Sequence, residues 1–133
     1  MNNDFYTMWL TSIQGLKRKQ IISLIEKFGT PENIWNASIP ELKTLKVLKD
    51  DAIALIVKSK DISKLEDTYY SMEDRGIRYI SIFNKEYPYL LSKIYDPPFG
   101  LYIRGRLPDE NFKKVAVIGA RRCTSYGAIV AEK

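Results

Sequence analysis

Apolar positions in the first sixty residues recur at helical spacing. In LKRKQIISLIEKFG, Ile21, Leu24, Ile25 and Phe28 fall at i, i+3, i+4 and i+7, one stripe of a helix. Gly29 follows as a stop. Upstream, Phe5, Met8, Trp9 and Leu10 mark an earlier helix that Gly15 breaks. Thr30 and Pro31 read as an N-cap and a first helical residue. Ser38 and Glu41 stand at the spacing of a capping box. Leu42, Leu45 and Leu48 form a short apolar edge, and DDAIALIVKSK predicts a further helix. From Asp61 or Ser63 a longer helix follows, with Ile62, Leu65, Tyr69 and Met72 on its stripe and Gly76 at its end. The period then changes. IRYISIF is β-branched and aromatic and reads as a strand. A short helix is expected from Pro88 to about Ile94, then a Pro-Pro loop and the strand LYIRG. After a polar turn comes a buried-type strand, VAVIG. Strand, helix, strand with short connectors predicts an α/β sheet, largely parallel.

The chain therefore divides into an all-α part, residues 1–60, and an α/β part, residues 61–133. Helix, glycine turn, helix, connector, short helix, turn, helix resembles a pair of helix-hairpin-helix units, as in SAM-like DNA-associated domains. Helix N-termini in such hairpins offer free N–H groups to a phosphate. Lys17, Arg18 and Lys19 sit in the first turn of the second helix, where positive charge opposes the helix dipole. They fit either a solvated basic face or contact with an anionic partner. The second hairpin, LKVLKD, lacks the glycine such a turn prefers, which leaves a packing role open.

Composition narrows the chemistry. The 133 residues contain no histidine and one cysteine, Cys123. That removes Ser-His-Asp and Cys-His catalysis and most zinc sites. It also removes an internal disulfide framework and suits a reducing cytoplasm. No catalytic residue, metal site or cofactor is expected. A metal would need a carboxylate cluster, and Asp50-Asp51 and Glu73-Asp74 are adjacent pairs that diverge on a helix. No apolar run approaches the roughly 20 residues that span a bilayer, and the N-terminus lacks the basic start of a secretory signal. Net charge is +5 and unevenly spread. Residues 1–60 carry +3, residues 61–110 carry −2, and residues 111–133 carry +4. A basic segment favours a polyanion, nucleic acid above all.

That segment is VAVIGARRCTSYGAIVAEK, residues 115–133. Val115 to Ile118 run into Gly119, where a glycine lets backbone approach a ligand. The following helix aims its free amides at the same place. Arg121 and Arg122 add fixed charge, and a guanidinium can grip a phosphate with two hydrogen bonds. Thr124 or Ser125 can cap the helix or donate to an anion, and Gly127 marks a second close approach. Ligands in open α/β sheets sit at this end of the strands. The stretch has neither the G-x-G-x-x-G dinucleotide fingerprint nor a Walker A motif. By itself it fits an ordinary strand-to-helix turn as well as an anion site.

Three segments taken together resemble the DNA-processing protein A family (DprA/Smf). They are residues 87–105, with Tyr87-Pro88, Leu90-Leu91, Ile94, Asp96-Pro97-Pro98, Leu101-Tyr102 and Gly105; residues 115–127, with Val115 to Arg121, Thr124 and Tyr126-Gly127; and the preceding helical-hairpin domain. The resemblance implies a SAM-like helical domain followed by a Rossmann-type domain. It implies a non-catalytic accessory protein that binds single-stranded DNA, protects incoming strands and helps load the RecA recombinase in natural transformation. It places Gly119, Ala120 and Arg121 in a basic pocket for the DNA backbone, shaped by Thr124 and Gly127, with Arg122 beside them. Ala120 departs from the family's Ser or Thr and removes one hydroxyl donor. Tyr126 is the nearest stacking candidate, and it fits a packing role too. The Rossmann-type sheet is expected to be incomplete, because the chain stops inside the helix after the turn. The family's homodimer and RecA surfaces are expected largely beyond residue 133. Two other readings stay open: a Rossmann-type enzyme holding a nucleotide phosphate at Gly119–Arg121, and a protein-interaction module.

Overall fold

Residues Asp4 to Leu10 of the first helix are all buried. A surface helix cannot show this pattern, because one side of it faces water. The computed structural model describes residues 3–109, 111–113, 115, 116, 118, 119 and 121–132. It runs as α1 (Asn3–Ser12), α2 (Arg18–Phe28), α3 (Pro31–Asn36), α4 (Ile39–Lys43), α5 (Asp50–Lys58) and α6 (Ile62–Asp74), followed by β1 (Ile77–Ser81), α7 (Tyr89–Ser92), β2 (Gly100–Arg104) and α8 (Ser125–Glu132). Helix α1 is the hub, packed against α3, β1 and β2; α2 packs on α3, α4 on α5, and α6 on β1.

Local signals set the helix ends. Gly29 takes φ +81° and donates its N–H to the Ile25 carbonyl at 2.8 Å, closing α2. The Thr30 hydroxyl accepts from the Asn33 N–H at 3.2 Å, and Pro31 opens α3. Glu41 accepts from both the N–H and the hydroxyl of Ser38, at 2.8 and 2.6 Å. These bonds hold its carboxyl below the usual range. Asp61 caps α6 by accepting from the Lys64 N–H.

One core runs from Phe5 to Tyr79 and contains Leu10, Leu24, Ile34, Leu42 and Ile56, all fully buried. Aromatic rings organise its centre. Trp9 and Trp35 meet edge to face at 4.8 Å, and Phe5 meets Tyr69 at 5.6 Å. The Trp9 indole N–H donates to the Ser59 hydroxyl at 2.9 Å and to its carbonyl at 3.1 Å, tying α1 to the end of α5. The buried carboxylate of Asp4 accepts from the Ser81 N–H at 2.7 Å and from the Asn84 amide at 2.5 Å. Helix α1 is thereby tied to the end of β1 and the turn beyond it.

The sheet corrects one expectation. Strands β1 and β2 pair antiparallel, with Ile77 opposite Arg104, Tyr79 opposite Tyr102 and Ser81 opposite Gly100. A parallel pair needs a crossover of a dozen or more residues, usually helical, across a sheet face. Residues 82–99 instead hold a turn, the four-residue α7 and the Pro-Pro loop, and they bring the chain back beside β1. The expected third strand, VAVIG, is not formed among the described residues either. Residues 115, 116, 118 and 119 are not in a strand, and Val115 and Ile118 are 87% and 91% exposed. A strand is held by a ladder with a neighbour, and β1 and β2 pair only with each other. The described residues form a mixed α/β fold with a small antiparallel sheet; a Rossmann-type parallel sheet is not formed among them.

The sheet is closed by a steric fit. A methyl group at Gly100 would lie 1.9 Å from the Tyr79 hydroxyl and 2.1 Å from its ring carbon Cζ. Only a residue without a side chain admits the Tyr79 ring, which is 4% exposed. Gly100→Ala is expected to destabilise the fold by about 1–3 kcal/mol through overpacking. Combined with Tyr79→Leu it should cost less than the sum of the two single changes. Urea midpoints of the four proteins check this.

Burial pushes the Tyr79 hydroxyl up to about 12, opposed by its contact with Thr11. The folded state therefore holds this proton more tightly than the unfolded chain, whose tyrosines titrate near 10. The resulting stability is complete below about pH 10 and is lost as pH rises to about 12. Burial raises Tyr6 and Tyr87 in the same direction. Chemical denaturation between pH 9 and pH 12 should show a loss on the order of 2 kcal/mol. Tyr79→Phe should flatten much of that slope.

Candidate functional site

The basic segment is arranged around the start of α8. The Thr124 hydroxyl oxygen accepts from the Gly127 N–H at 3.1 Å, and the Thr124 carbonyl accepts from the Ala128 N–H at 3.0 Å. Thr124 is therefore the N-cap of α8, and its hydroxyl proton is left to donate elsewhere. Arg121 and Arg122 precede this cap and are both exposed. Among the described residues no carboxylate pairs with either. Positive side chains and a helix N-terminus thus lie within four residues of one another, and no carboxylate among the described residues pairs with these side chains.

The other expected site residues fall as follows. Gly119 is exposed, and among the described residues nothing beyond its chain neighbours lies within 4 Å of where a methyl group would be. A methyl group on Gly127 would make only ordinary contacts with Thr124 and Cys123, at 3.5 and 3.6 Å. Ala120 lies outside the described residues. Tyr126 is 77% exposed. Gly119, Arg121, Arg122, Thr124 and Gly127 thus share one stretch of chain. The crevice expected beyond the end of a parallel strand is not formed among the described residues, because that strand is not. Of the acidic pairs, Asp50 meets Lys43 at 3.3 Å, while Asp51, Glu73 and Asp74 are exposed on helices.

Arg18 resolves the basic turn of α2 in a way the sequence did not disclose. Its guanidinium pairs with Asp96, donates to the Pro97 carbonyl at 2.6 Å and lies 4.3 Å over the Phe99 ring. The anionic partner is a carboxylate of the same chain, and the contact docks the Pro-Pro loop on the helical part. Lys17 and Lys19 remain exposed. The Tyr87 hydroxyl donates to the Pro98 carbonyl at 2.7 Å and holds the loop from its other side. The signal that could have found this pair was the unfavourable charge at the start of α2 together with an Asp-Pro-Pro stretch.

Comparison with known proteins decides the family. A model of the family described as DNA recombination-mediator protein A matches residues 78–133. The chain is 30% identical over 129 residues to the DNA processing protein DprA of Streptococcus pneumoniae, covering 96% of this chain and 43% of that protein. The chain belongs to the DprA/Smf family. Other DprA/Smf relatives agree. Protein Smf of Borreliella burgdorferi is 49% identical over 115 residues, covering 86% of this chain and 35% of that protein. The Bacillus subtilis DNA processing protein DprA is 30% identical over 109 residues, covering 79% and 36%. The chain spans less than half the length of these DprA/Smf relatives. No solved structure matches it. No helix among the described residues is long and apolar enough to cross a membrane.

The DprA/Smf segment Tyr87 to Gly105 is the part that Arg18 clamps. Arg18→Ala is expected to cost about 1–2 kcal/mol, mostly from the lost carbonyl bond and ring contact. Asp96→Asn should cost less than about 1 kcal/mol, since its carboxylate is largely exposed. Arg18→Lys should fail to restore stability, because an ammonium cannot reproduce the guanidinium's contacts. Thermal denaturation of the three variants tests this order.

Proposed function

We propose that this chain is the single-stranded DNA-binding part of a non-catalytic DprA/Smf accessory protein of the cytoplasm. The observation that carries the reading is the exposed Arg121–Arg122 pair, without a carboxylate partner among the described residues, beside the capped start of α8 in a chain of this family. Gly119, Ala120, Arg121, Arg122, Thr124 and Gly127 form the DNA contact in this reading. Guanidinium groups grip successive phosphates, and the Thr124 hydroxyl and the first amides of α8 add neutral donors. Backbone contact of this kind carries no base sequence, which suits a protein that handles any incoming strand. Residues 1–60 are proposed to act as a SAM-like helical unit, and residues 61–133 to belong to the Rossmann-type domain of the family's longer proteins. Protection of incoming strands, RecA loading in natural transformation and homodimer formation are proposed for those longer proteins.

Titration of a labelled oligothymidylate at several salt concentrations tests the reading. Each arginine that contacts a phosphate contributes about 0.7 to the slope of log affinity against log salt. Arg121→Ala should weaken binding and flatten the slope by about that amount, and the double change with Arg122→Ala should do so again. An unchanged slope in the double variant, or mononucleotide binding as tight as strand binding, would sink it.

A further inference from the structure

A hollow of about 510 Å³ opens where the helical part meets the strand pair, away from the basic segment. Its walls come from α1 and the residues just after it, the end of α5, the start of α6 and Tyr102 of β2. Four apolar side chains line it: Met8, Ile13, Leu55 and Leu65. Leu55 is 37% exposed, and the other three are buried behind it.

Most polar groups on these walls are already engaged. The Trp9 indole N–H donates to Ser59, the Ser12 hydroxyl donates to the Trp9 carbonyl at 2.8 Å, and the Thr68 hydroxyl donates to the Lys64 carbonyl at 2.8 Å. The Asp61 carboxylate, also in the lining, accepts from the Lys64 N–H at 3.1 Å. Polar groups that have their partners ask nothing of a guest, so what remains is a mainly apolar recess.

Two cations stand on it. Lys58 and Lys64 line the hollow from α5 and α6, and both are exposed. Among the described residues no carboxylate pairs with either. Two lysines against the one aspartate leave the lining positive. Trp9 is 2% exposed and presents no ring face for a base to stack on, and the Tyr102 ring meets Tyr79 edge to face at 5.0 Å. The guest that fits is an aliphatic side chain with carboxylates beside it.

We propose that this hollow is a docking site for an acidic peptide segment of a partner protein. An aliphatic side chain seats among Met8, Ile13, Leu55 and Leu65, and flanking carboxylates face Lys58 and Lys64. The apolar anchor supplies most of the affinity, and the charged rim supplies selection. The volume falls within the range of ligand sites. The inference does not depend on the strand-binding reading.

The test is fluorescence anisotropy of the whole chain with three labelled peptides of equal length. One alternates glutamate with leucine, one has glutamine for each glutamate, and one has alanine for each leucine. The glutamate–leucine peptide should bind, and the alanine peptide should bind at least about tenfold more weakly. Lys58→Gln and Lys64→Gln should each weaken the glutamate–leucine peptide roughly two- to fivefold and leave the glutamine peptide unchanged. Thr68→Glu, at an exposed helical position in the lining, should weaken it as well, through repulsion. Lys27→Gln, outside the lining, and Arg121→Ala should have no effect on any peptide. Circular dichroism of each variant confirms folding. The proposal is overturned if the unaltered chain does not bind the glutamate–leucine peptide, or if the double lysine variant binds it as well as the unaltered chain does. If oligothymidylate displaces the peptide and the lysine variants weaken strand binding to the same degree, the hollow is a nucleic-acid contact and the proposal is lost. Peptide binding that persists when Arg121→Ala abolishes strand binding supports it, so the two readings fail separately.

Discussion

A single buried carboxylate joins the two halves of this chain. Asp4, at the start of α1, accepts from the backbone of Ser81 and the side chain of Asn84. Its position in the first helical turn is favourable, because the helix N-terminus carries partial positive charge. A buried charge is tolerated only when its hydrogen bonds are made. The turn after β1 must therefore keep its shape for α1 to stay where it is.

Around this link, α1 acts as the axis of the molecule. Trp9 is almost wholly buried and spends its one polar atom on Ser59, while its ring meets Trp35. On the other side Tyr79 fills the space left open by Gly100. The helical part and the strand pair thus share one core across residues 60 and 61. Arg18 makes a further bridge, from the start of α2 to the Pro-Pro loop. Charge that looked available for an external anion is used to hold the fold together.

The basic segment has the opposite character. Arg121 and Arg122 serve no carboxylate among the described residues, and Val115 and Ile118 before them are exposed. Cationic groups that contribute nothing to internal packing remain free to meet an external polyanion.

Helix positions in the first seventy-five residues were legible because they rest on local chemistry. The stripe of α2, the Thr30-Pro31 start of α3, the Asp61 cap and the stop at Gly29 each involve atoms a few residues apart. The motifs from Tyr87 to Gly127 were legible as a family pattern, and they named the candidate site. What the residues could not disclose involves partners far apart along the chain. Nothing near Asp4 shows that it will meet Ser81, the unfavourable charge at Arg18 does not by itself say which carboxylate it meets, and Gly100 looks like an ordinary turn glycine until Tyr79 lies over it. The direction of β2 was misjudged for the same reason. Alternation of side chains is identical in parallel and antiparallel strands, so only the path of residues 82–99 decides which neighbour a strand meets. Local sequence determined the elements and the charged groups along them, while tertiary packing decided which charges are consumed inside the fold, as Arg18 and Asp4 are, and which stay exposed.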